Sequence, residues 1–257
     1  MFSAIWNDVL YRPLLNALAF LVSVIPGADV GIAIIALTII VKLILFPFAQ
    51  HSIESQIKMK KLEPEINKIK QSGKSKEEQA RLTMELYKEK KVNPLSGCLV
   101  TLIQLPIIFA LYYVFLKGIN FDSSILYPFV HAPAHTSLNF LGIADIGGKS
   151  LSLAILAGVS QYFQAHFMPK SAVLSPAGSQ PSPDGKKSFQ ENLSKSMNMQ
   201  MKYIFPLVVA FIAYSVSGAV ALYWITSNIF IIGQQIYAEN KARNEGLKEQ
   251  SEKDGKK

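Results

Sequence analysis

Residues 31–48 read GIAIIALTIIVKLILFPF, a stretch in which only Thr38 and Lys42 are polar. Its eighteen residues are enough to cross the hydrocarbon core of a bilayer as a helix. Lys42 lies roughly 12 Å before Gln50 along such a helix, at about 1.5 Å per residue. A lysine at the centre of a spanning helix costs about 2.5–3.5 kcal/mol on insertion scales unless other groups solvate it. The stretch therefore predicts a transmembrane helix whose lysine needs polar surroundings.

The rest of the chain has the composition of a membrane protein with several spans. Half of its 257 residues are hydrophobic, and they cluster in blocks. The 26 basic residues outnumber the 18 acidic ones, which gives a net charge of +8. The single cysteine, Cys98, excludes a disulfide framework and a cysteine-rich metal site. These features predict an all-α polytopic membrane protein.

Apolar and charged blocks alternate along the chain and predict five transmembrane helices. The apolar run of residues 14–25 is too short to span and is expected to lie in the membrane interface, with a short spanning helix as the alternative. Pro47 is expected to end the Lys42 helix, and the charged tail is expected to fray. The predicted segments are an extracytoplasmic interfacial helix at 1–28, transmembrane helices at 29–49, 94–117 and 150–168, the fourth and fifth transmembrane helices at 201–237, a cytoplasmic helical hairpin at 50–93, an extracytoplasmic loop at 118–149, a flexible cytoplasmic loop at 169–200 and a charged cytoplasmic tail at 238–257.

The polar block at 50–93 has the pattern of two amphipathic helices. Its apolar residues recur at helical spacing, and Gly73 interrupts them. Ser75 and Glu78 form a capping-box pattern that predicts the start of the second helix at Lys76. We therefore expect a helical hairpin in water.

The distribution of lysine and arginine predicts the orientation in the membrane. Residues 50–93, 169–202 and 238–257 contain 11, 5 and 6 basic residues, respectively. The segments expected on the other side contain little beyond Arg12 and Lys149. Because basic loops stay on the cytoplasmic side, the hairpin and the C-terminus are predicted to be cytoplasmic, and the N-terminal helix is predicted to lie on the outer face.

Polar residues recur in every predicted span except the fourth. Such residues normally face the interior of a bundle or a water-filled cavity, although hydrogen bonding between helices is the alternative for each amide. Side chains of a helix tilt toward its N-terminus, so Lys42 leans away from the cytoplasmic surface. No Asp or Glu lies inside the apolar runs of the predicted spans, and we expect Lys42 to lie unpaired in a hydrated groove. The predicted groove residues are Lys42, Thr38, Gln104, Thr101, Gln161, Gln164, Ser227 and Asn228.

The motifs of the chain argue against an enzyme. It has neither a GxxxxGK phosphate-binding loop nor a helical zinc-protease motif. A Ser–Lys dyad of Lys42 with Ser160 or Ser227 is an alternative without a supporting motif. His131 and His135 flank Pro133, which spoils a helical pair of ligands. No catalytic residue, metal or cofactor is predicted.

Three stretches of the sequence resemble the YidC/Oxa/Alb membrane protein insertase family, and the likeness runs through the whole chain in order. Lys58-Met59, together with LEPEI at 62–66, is similar to the first cytoplasmic helix of that family. The second core helix is matched by NPLSGCL at 93–99 and LIQLPI at 102–107, and the last helix by LYW at 222–224 followed by Ser227-Asn228 and Gln234-Gln235.

The resemblance implies a bacterial insertase of the short form, without a large extracytoplasmic domain, in the plasma (inner) membrane. It also implies a groove that opens to the cytoplasm and to lipid, with a positive residue in the first core helix. Lys42 matches that position, where arginine is usual. Lysine is a point charge and cannot offer the bidentate contact of arginine to a carboxylate.

The expected function is to move hydrophilic tails of small membrane proteins into this groove and to release their apolar segments into lipid. Tyr223 and Trp224 are expected to contact the apolar segment, with simple packing as the alternative. The expected partners are newly made membrane proteins with few spans and the lipid bilayer; the ribosome and the Sec translocon are further candidates, and no specific nucleic-acid sequence is expected. The alternative function is a small-anion channel or transporter that uses the same groove.

Overall fold

The computed structural model describes residues 6–93, 96–116, 121, 124–168 and 199–254, and this part of the chain is mostly helical. A π-helical segment at Trp6–Tyr11 leads into the first α-helix, and another at Gln200–Ile204 leads into the seventh. The elements are α1 (Arg12–Val24), α2 (Val30–Lys61), α3 (Glu63–Lys70), α4 (Lys76–Glu89), α5 (Ser96–Leu116), β1 (Asn139–Phe140), β2 (Ala144–Asp145), α6 (Leu151–Phe167), α7 (Phe205–Val216) and α8 (Gly218–Asp254).

Two of the described helices are long and apolar enough to cross a membrane. They are α2 and the part of α8 from Gly218 to Glu245. The apolar segments Gln104–Val114 and Gln200–Val216 are shorter. Helix α6 lies within the predicted third span at 150–168 and is one residue shorter at each end.

The chain forms two compact units. The first comprises Met1–Phe46, Thr101–Gln164 and Phe205–Ile231, and the second comprises Pro47–Val100, Ala165–Ile204 and Ile232–Lys257. The core of the first unit is formed by buried aliphatic side chains of α1, α2, α5, α6, α7 and α8. They include Leu15, Leu18, Val22, Val30, Ile34, Leu37, Leu111, Val114, Leu153, Val209 and Val220.

Two helices run further than the sequence predicts. Helix α2 continues through Pro47 to Lys61, and α8 continues through the tail, which was expected to fray, as far as Asp254. A proline inside a helix removes one hydrogen-bond donor. Packing in the second unit offsets this loss, because Ile53 and Ile57 of α2 bury against Ala238 of α8.

In the hairpin region, the helix predicted to start at Lys76 begins there, directly after its capping residue, whereas residues 50–61 continue α2 and are followed by the separate helix α3. The Ser75 side chain accepts a hydrogen bond from the backbone N–H of Glu78, 3.3 Å away, at the start of α4. Gly73 has a φ of +70°, in the left-handed region that favours glycine. The core between α3 and α4 contains Met59, Leu62, Ile66, Leu86 and Val92.

Residues 137–148 connect the N-terminal ends of α2 and α8 in the first unit. Strands β1 and β2 pair antiparallel within this segment. The backbone N–H of Val30 donates to Ser137 O at 3.0 Å, and that of Ala219 donates to Ile146 O at 2.9 Å. The first N–H groups of a helix have no partner within it, so this segment satisfies donors of both helices. The predicted loop at 169–200 lies outside the described residues except for its last two.

Candidate functional site

The site is built around Lys42, whose side chain is buried inside the first unit. Only 8% of its surface is exposed. Its Nζ atom donates a hydrogen bond to Oε1 of Gln104 in α5, at 3.0 Å. Among the described residues, no salt bridge joins Lys42 to a carboxylate. The ammonium group therefore has a neutral partner and keeps its charge uncompensated.

Gln104 extends this contact to α8. Its Nε2 atom donates a hydrogen bond to the Tyr223 hydroxyl, which is also hydrogen-bonded to Ser227. Tyr223 and Ser227 lie four residues apart and therefore share one face of α8. One polar network thus links Lys42 of α2, Gln104 of α5 and the inner face of α8.

A second polar contact joins α8 to α6. Nδ2 of Asn228 donates to Oγ of Ser160 at 3.0 Å, and Ser160 in turn donates to the carbonyl oxygen of Ala157 at 2.8 Å. Asn228 is 3% exposed. The hydroxyl of Ser160 is therefore engaged by Asn228 and by its own helix, whereas Lys42 bonds to Gln104. This geometry gives no support to a Ser–Lys dyad.

Thr38, Gln161 and Gln164 are also buried, and two of their hydrogen bonds lie within their own helices. Gln161 donates to Gln164 at 2.6 Å on the same face of α6, and Thr38 donates to the carbonyl oxygen of Ile34 at 2.6 Å. The side chain of Thr101 lies outside the part of the chain that the structure describes. Of the predicted set, the structure joins Lys42, Gln104 and Ser227 in one network.

An apolar cleft borders this network. It has a volume of about 450 Å³ and is lined by α5, α7 and the first turns of α8. Tyr223 and Trp224 both lie in its wall, Tyr223 with its hydroxyl in the polar network. The other lining residues are mostly aliphatic and aromatic and include Ile108, Phe109, Tyr112, Phe211, Ile212 and Val220.

One residue of the polar contacts and one helix cap are not among the predicted site residues. Ser160 is predicted only for a dyad, although its position next to Gln161 on a polar face indicates it. Asp29 lies just before the first apolar run and is 8% exposed. Its carboxylate accepts from the N–H groups of Gly31 at 2.8 Å and Ile32 at 3.1 Å, so it caps α2. An aspartate directly before a helix is the sequence signal of such a cap.

Long apolar helices around a buried, uncompensated lysine define a class: helical membrane proteins with a charged polar interior. The family model described as 60Kd inner membrane protein matches residues 20–245. The chain belongs to this family, which confirms the YidC/Oxa/Alb membership that its motifs predict.

Several relatives named membrane protein insertase YidC are similar to most of this chain. The protein from Fusobacterium nucleatum is 34% identical over 238 residues, which cover 90% of this chain and 98% of that protein. The protein from Clostridium tetani is 32% identical over 214 residues, 82% of each. The protein from Citrifermentans bemidjiense is 30% identical over 240 residues, which are 92% of this chain but 38% of that protein.

Proposed function

We propose that the protein is a membrane protein insertase of the bacterial inner membrane. The observation that carries this proposal is the ammonium group of Lys42, buried and bonded to a neutral amide in the interior of a helical membrane protein. A buried charge without a counter-charge is costly, so its retention points to a partner that arrives from outside the chain. The printed names of the relatives support insertion as the process.

The partner that fits an unpaired ammonium group is a carboxylate on the hydrophilic tail of a substrate. Such a tail pays a large desolvation penalty when it crosses the hydrocarbon core. Lys42, Gln104 and Asn228 offer it a charge and hydrogen bonds part of the way across. Because this attraction is greatest midway, it lowers the barrier more than it stabilises either end of the path.

The apolar segment of the substrate follows a different surface. We assign to it the cleft of α5, α7 and α8, whose walls are apolar apart from a few hydroxyl groups. The polar network meets the cleft at Tyr223, so a tail held at Lys42 and an apolar segment in the cleft would belong to one chain in transit. Trp224 supplies a large part-buried aromatic surface there.

The proposed topology has five spans, with the groove open to the cytoplasm and to lipid. The cytoplasmic side would hold the hairpin and the C-terminus, and the N-terminal helix would lie on the outer face. The hairpin would receive the substrate, and its basic residues provide an electrostatic surface for the ribosome. The Sec translocon is the other proposed partner.

Substitutions of Lys42 test the electrostatic part of this mechanism. The protein is reconstituted in liposomes, and insertion of a single-span substrate with an acidic tail is measured for wild type and for Lys42→Arg, Lys42→Ala and Lys42→Glu. We expect Arg to retain insertion, Ala to slow it about tenfold, which corresponds to about 1.4 kcal/mol of barrier, and Glu to slow it further.

A matched substrate whose tail carries Asn and Gln in place of Asp and Glu serves as the control. Its insertion should depend far less on residue 42, because its tail has no charge for the ammonium group to attract. Wild-type insertion of the acidic substrate by Lys42→Glu would refute the proposed role of the charge.

A further inference from the structure

The hairpin of β1 and β2 is fixed to the first turn of α2. The second carboxylate oxygen of Asp29 accepts a hydrogen bond from the N–H of Leu141 at 2.8 Å, while the first caps α2. The ring of Phe140 packs over Gly31 so closely that a Cβ atom there would clash with it. The tip of the hairpin, residues 141–143, therefore lies beside the start of the helix.

The start of α2 coincides with the edge of its apolar stretch. Eighteen residues from Val30 to Pro47 contain Lys42 as their only charged residue. At about 1.5 Å per residue they extend roughly 27 Å, close to the thickness of a hydrocarbon core. A span of this length leaves Val30 at the boundary between acyl chains and headgroups, and the hairpin tip is bonded to the residue before it.

The tip exposes two large apolar side chains at this level. Leu141 is 58% exposed and Ile143 is 83% exposed. The sequence of the hairpin from Phe140 to Ala144 is FLGIA and contains no charge. It can therefore enter an apolar phase without desolvating an ion.

Leu141, at the tip, has a backbone conformation that a leucine side chain disfavours. Leu141 and Gly142 have φ values of 52° and 72°, and the N–H of Ile143 donates to Phe140 O at 2.9 Å across them. Turns with positive φ at both central positions prefer Asn-Gly, because a bulky side chain disfavours this region. A leucine at the first position gains nothing from the turn itself and is more than half exposed in this chain.

We infer that the hairpin tip is a membrane anchor, which inserts Leu141 and Ile143 among the lipids of the leaflet in which α2 and α8 begin. The tip would contact lipid, because its hydrogen bond to Asp29 holds it at the boundary of the hydrocarbon core, where α2 begins. Residues 137–148 also bond to the first turn of α8. The anchor therefore holds the ends of both long apolar helices at one depth. The inference rests on the membrane location of these helices and not on insertase activity.

Spin labels measure the surroundings of the tip directly. In a Cys98→Ala background, Ile143→Cys is labelled with a nitroxide and reconstituted in phosphatidylethanolamine–phosphatidylglycerol vesicles. Collisions with oxygen, which concentrates in lipid, are compared with collisions with a water-soluble nickel chelate. The matched control is His135→Cys, an exposed polar position two residues before the segment 137–148. Leu141→Cys repeats the test if the first variant fails to fold.

The inference predicts that oxygen collisions dominate at position 143, whereas the nickel chelate dominates at position 135, with a several-fold difference in their ratio. Nickel accessibility at 143 equal to that at 135 would place the tip in water and overturn the inference. Low accessibility to both reagents would mean that protein covers the tip, and would overturn it as well. Insertion assays on the same vesicles separate this result from the proposed function, since a tip in water with full insertion refutes the anchor alone.

Discussion

At the scale of single residues, the proposed attraction of a substrate carboxylate depends on the hydrogen bond between Lys42 and Gln104. An amide oxygen satisfies one donor of the ammonium group but does not neutralise it. A carboxylate in the same place would form a buried ion pair, and its negative charge would compete with any substrate carboxylate. The neutral partner therefore keeps Lys42 hydrogen-bonded and leaves its charge available.

Gln104→Glu tests this distinction. We expect the variant to be as thermally stable as wild type or more stable, because a carboxylate meets the ammonium group at the same position. Insertion of an acidic-tailed substrate should nevertheless fall about as much as in Lys42→Ala, since the charge is now neutralised. Thermal unfolding in detergent and the liposome assay measure the two effects.

Gln104→Leu is the control for this prediction. It removes the partner of a buried charge and should cost about 1–3 kcal/mol of stability. Its insertion defect is thus expected to come with lower stability, whereas that of Gln104→Glu is not. Full insertion by Gln104→Glu would show that the net charge at this site is unimportant.

Sequence reasoning reached part of this residue-level arrangement. Lys42 and Gln104 can be identified from the sequence, because each is a polar residue in an apolar stretch and polar groups are costly to bury. The bond between Asp29 and Leu141 joins residues 112 apart and has no local pattern. The sequence also predicts Gln161 and Gln164 as groove residues, and the structure shows in addition that Gln161 donates a hydrogen bond to Gln164. Spacing on one helix shows which residues share a face, but not what they bond to.

At the scale of elements, the polar ends of α2 and α8 hold each other through a charged contact. Nζ of Lys241 in α8 lies 2.9 Å from Oε1 of Glu54 in α2, beyond the apolar stretch. The same carboxylate accepts from Gln50 at 3.1 Å. The hydrogen bond from Lys241, then that from Gln50, holds the pKa of Glu54 below its ordinary value. The hydrogen bond that Lys241 donates to Glu54 raises the pKa of Lys241.

These pKa directions set a pH window for the contact. A carboxyl with a lowered pKa stabilises the fold above its ordinary pKa, and this contribution disappears as the pH falls through the lowered value. A lysine with a raised pKa stabilises the fold below its ordinary pKa, and this contribution disappears as the pH rises through the raised value. The contact is therefore complete near neutral pH and is lost in acid when Glu54 takes up a proton.

Amide hydrogen exchange of residues 238–245 can measure this contact. At neutral pH and low salt, Glu54→Gln should exchange faster than wild type, because α8 loses its charged partner. The difference should shrink with added salt, which screens exposed charges, and vanish in acid. Lys241→Gln should behave in the same way. Equal exchange by wild type and Glu54→Gln at neutral pH and low salt would contradict the prediction.

Some boundaries of the helices can be predicted from local sequence patterns, and others cannot. The α6 bounds and the Ser75 cap follow from local signals, namely an apolar block and a capping box. The continuation of α2 past Pro47 does not, because it depends on Ile53 and Ile57 meeting Ala238 from a distant part of the chain. The same contact stabilises the start of the helical tail, because Ala238 of α8 packs against Ile53 and Ile57.

At the scale of the whole molecule, charge asymmetry is expected to set the orientation. The polar block at 50–93 carries 11 basic residues, whereas residues 118–149 contain one lysine, Lys149. Moving the basic block across a membrane would cost far more than moving the other segment, so the hairpin should remain in the cytoplasm. The short β-hairpin would then face the outer leaflet, and the negative cytoplasmic surface would attract the basic block.

Single cysteines determine this orientation in cells. In a Cys98→Ala background, His135→Cys and Gln71→Cys introduce thiols at exposed positions of the two segments. A thiol reagent that does not cross membranes should label position 135 in intact spheroplasts, and position 71 only after the membrane is permeabilised. Labelling of both positions after permeabilisation shows that both thiols are reactive. If position 71 were labelled in intact spheroplasts and position 135 were not, the hairpin would lie outside. The groove would then open on the wrong side to receive newly made chains.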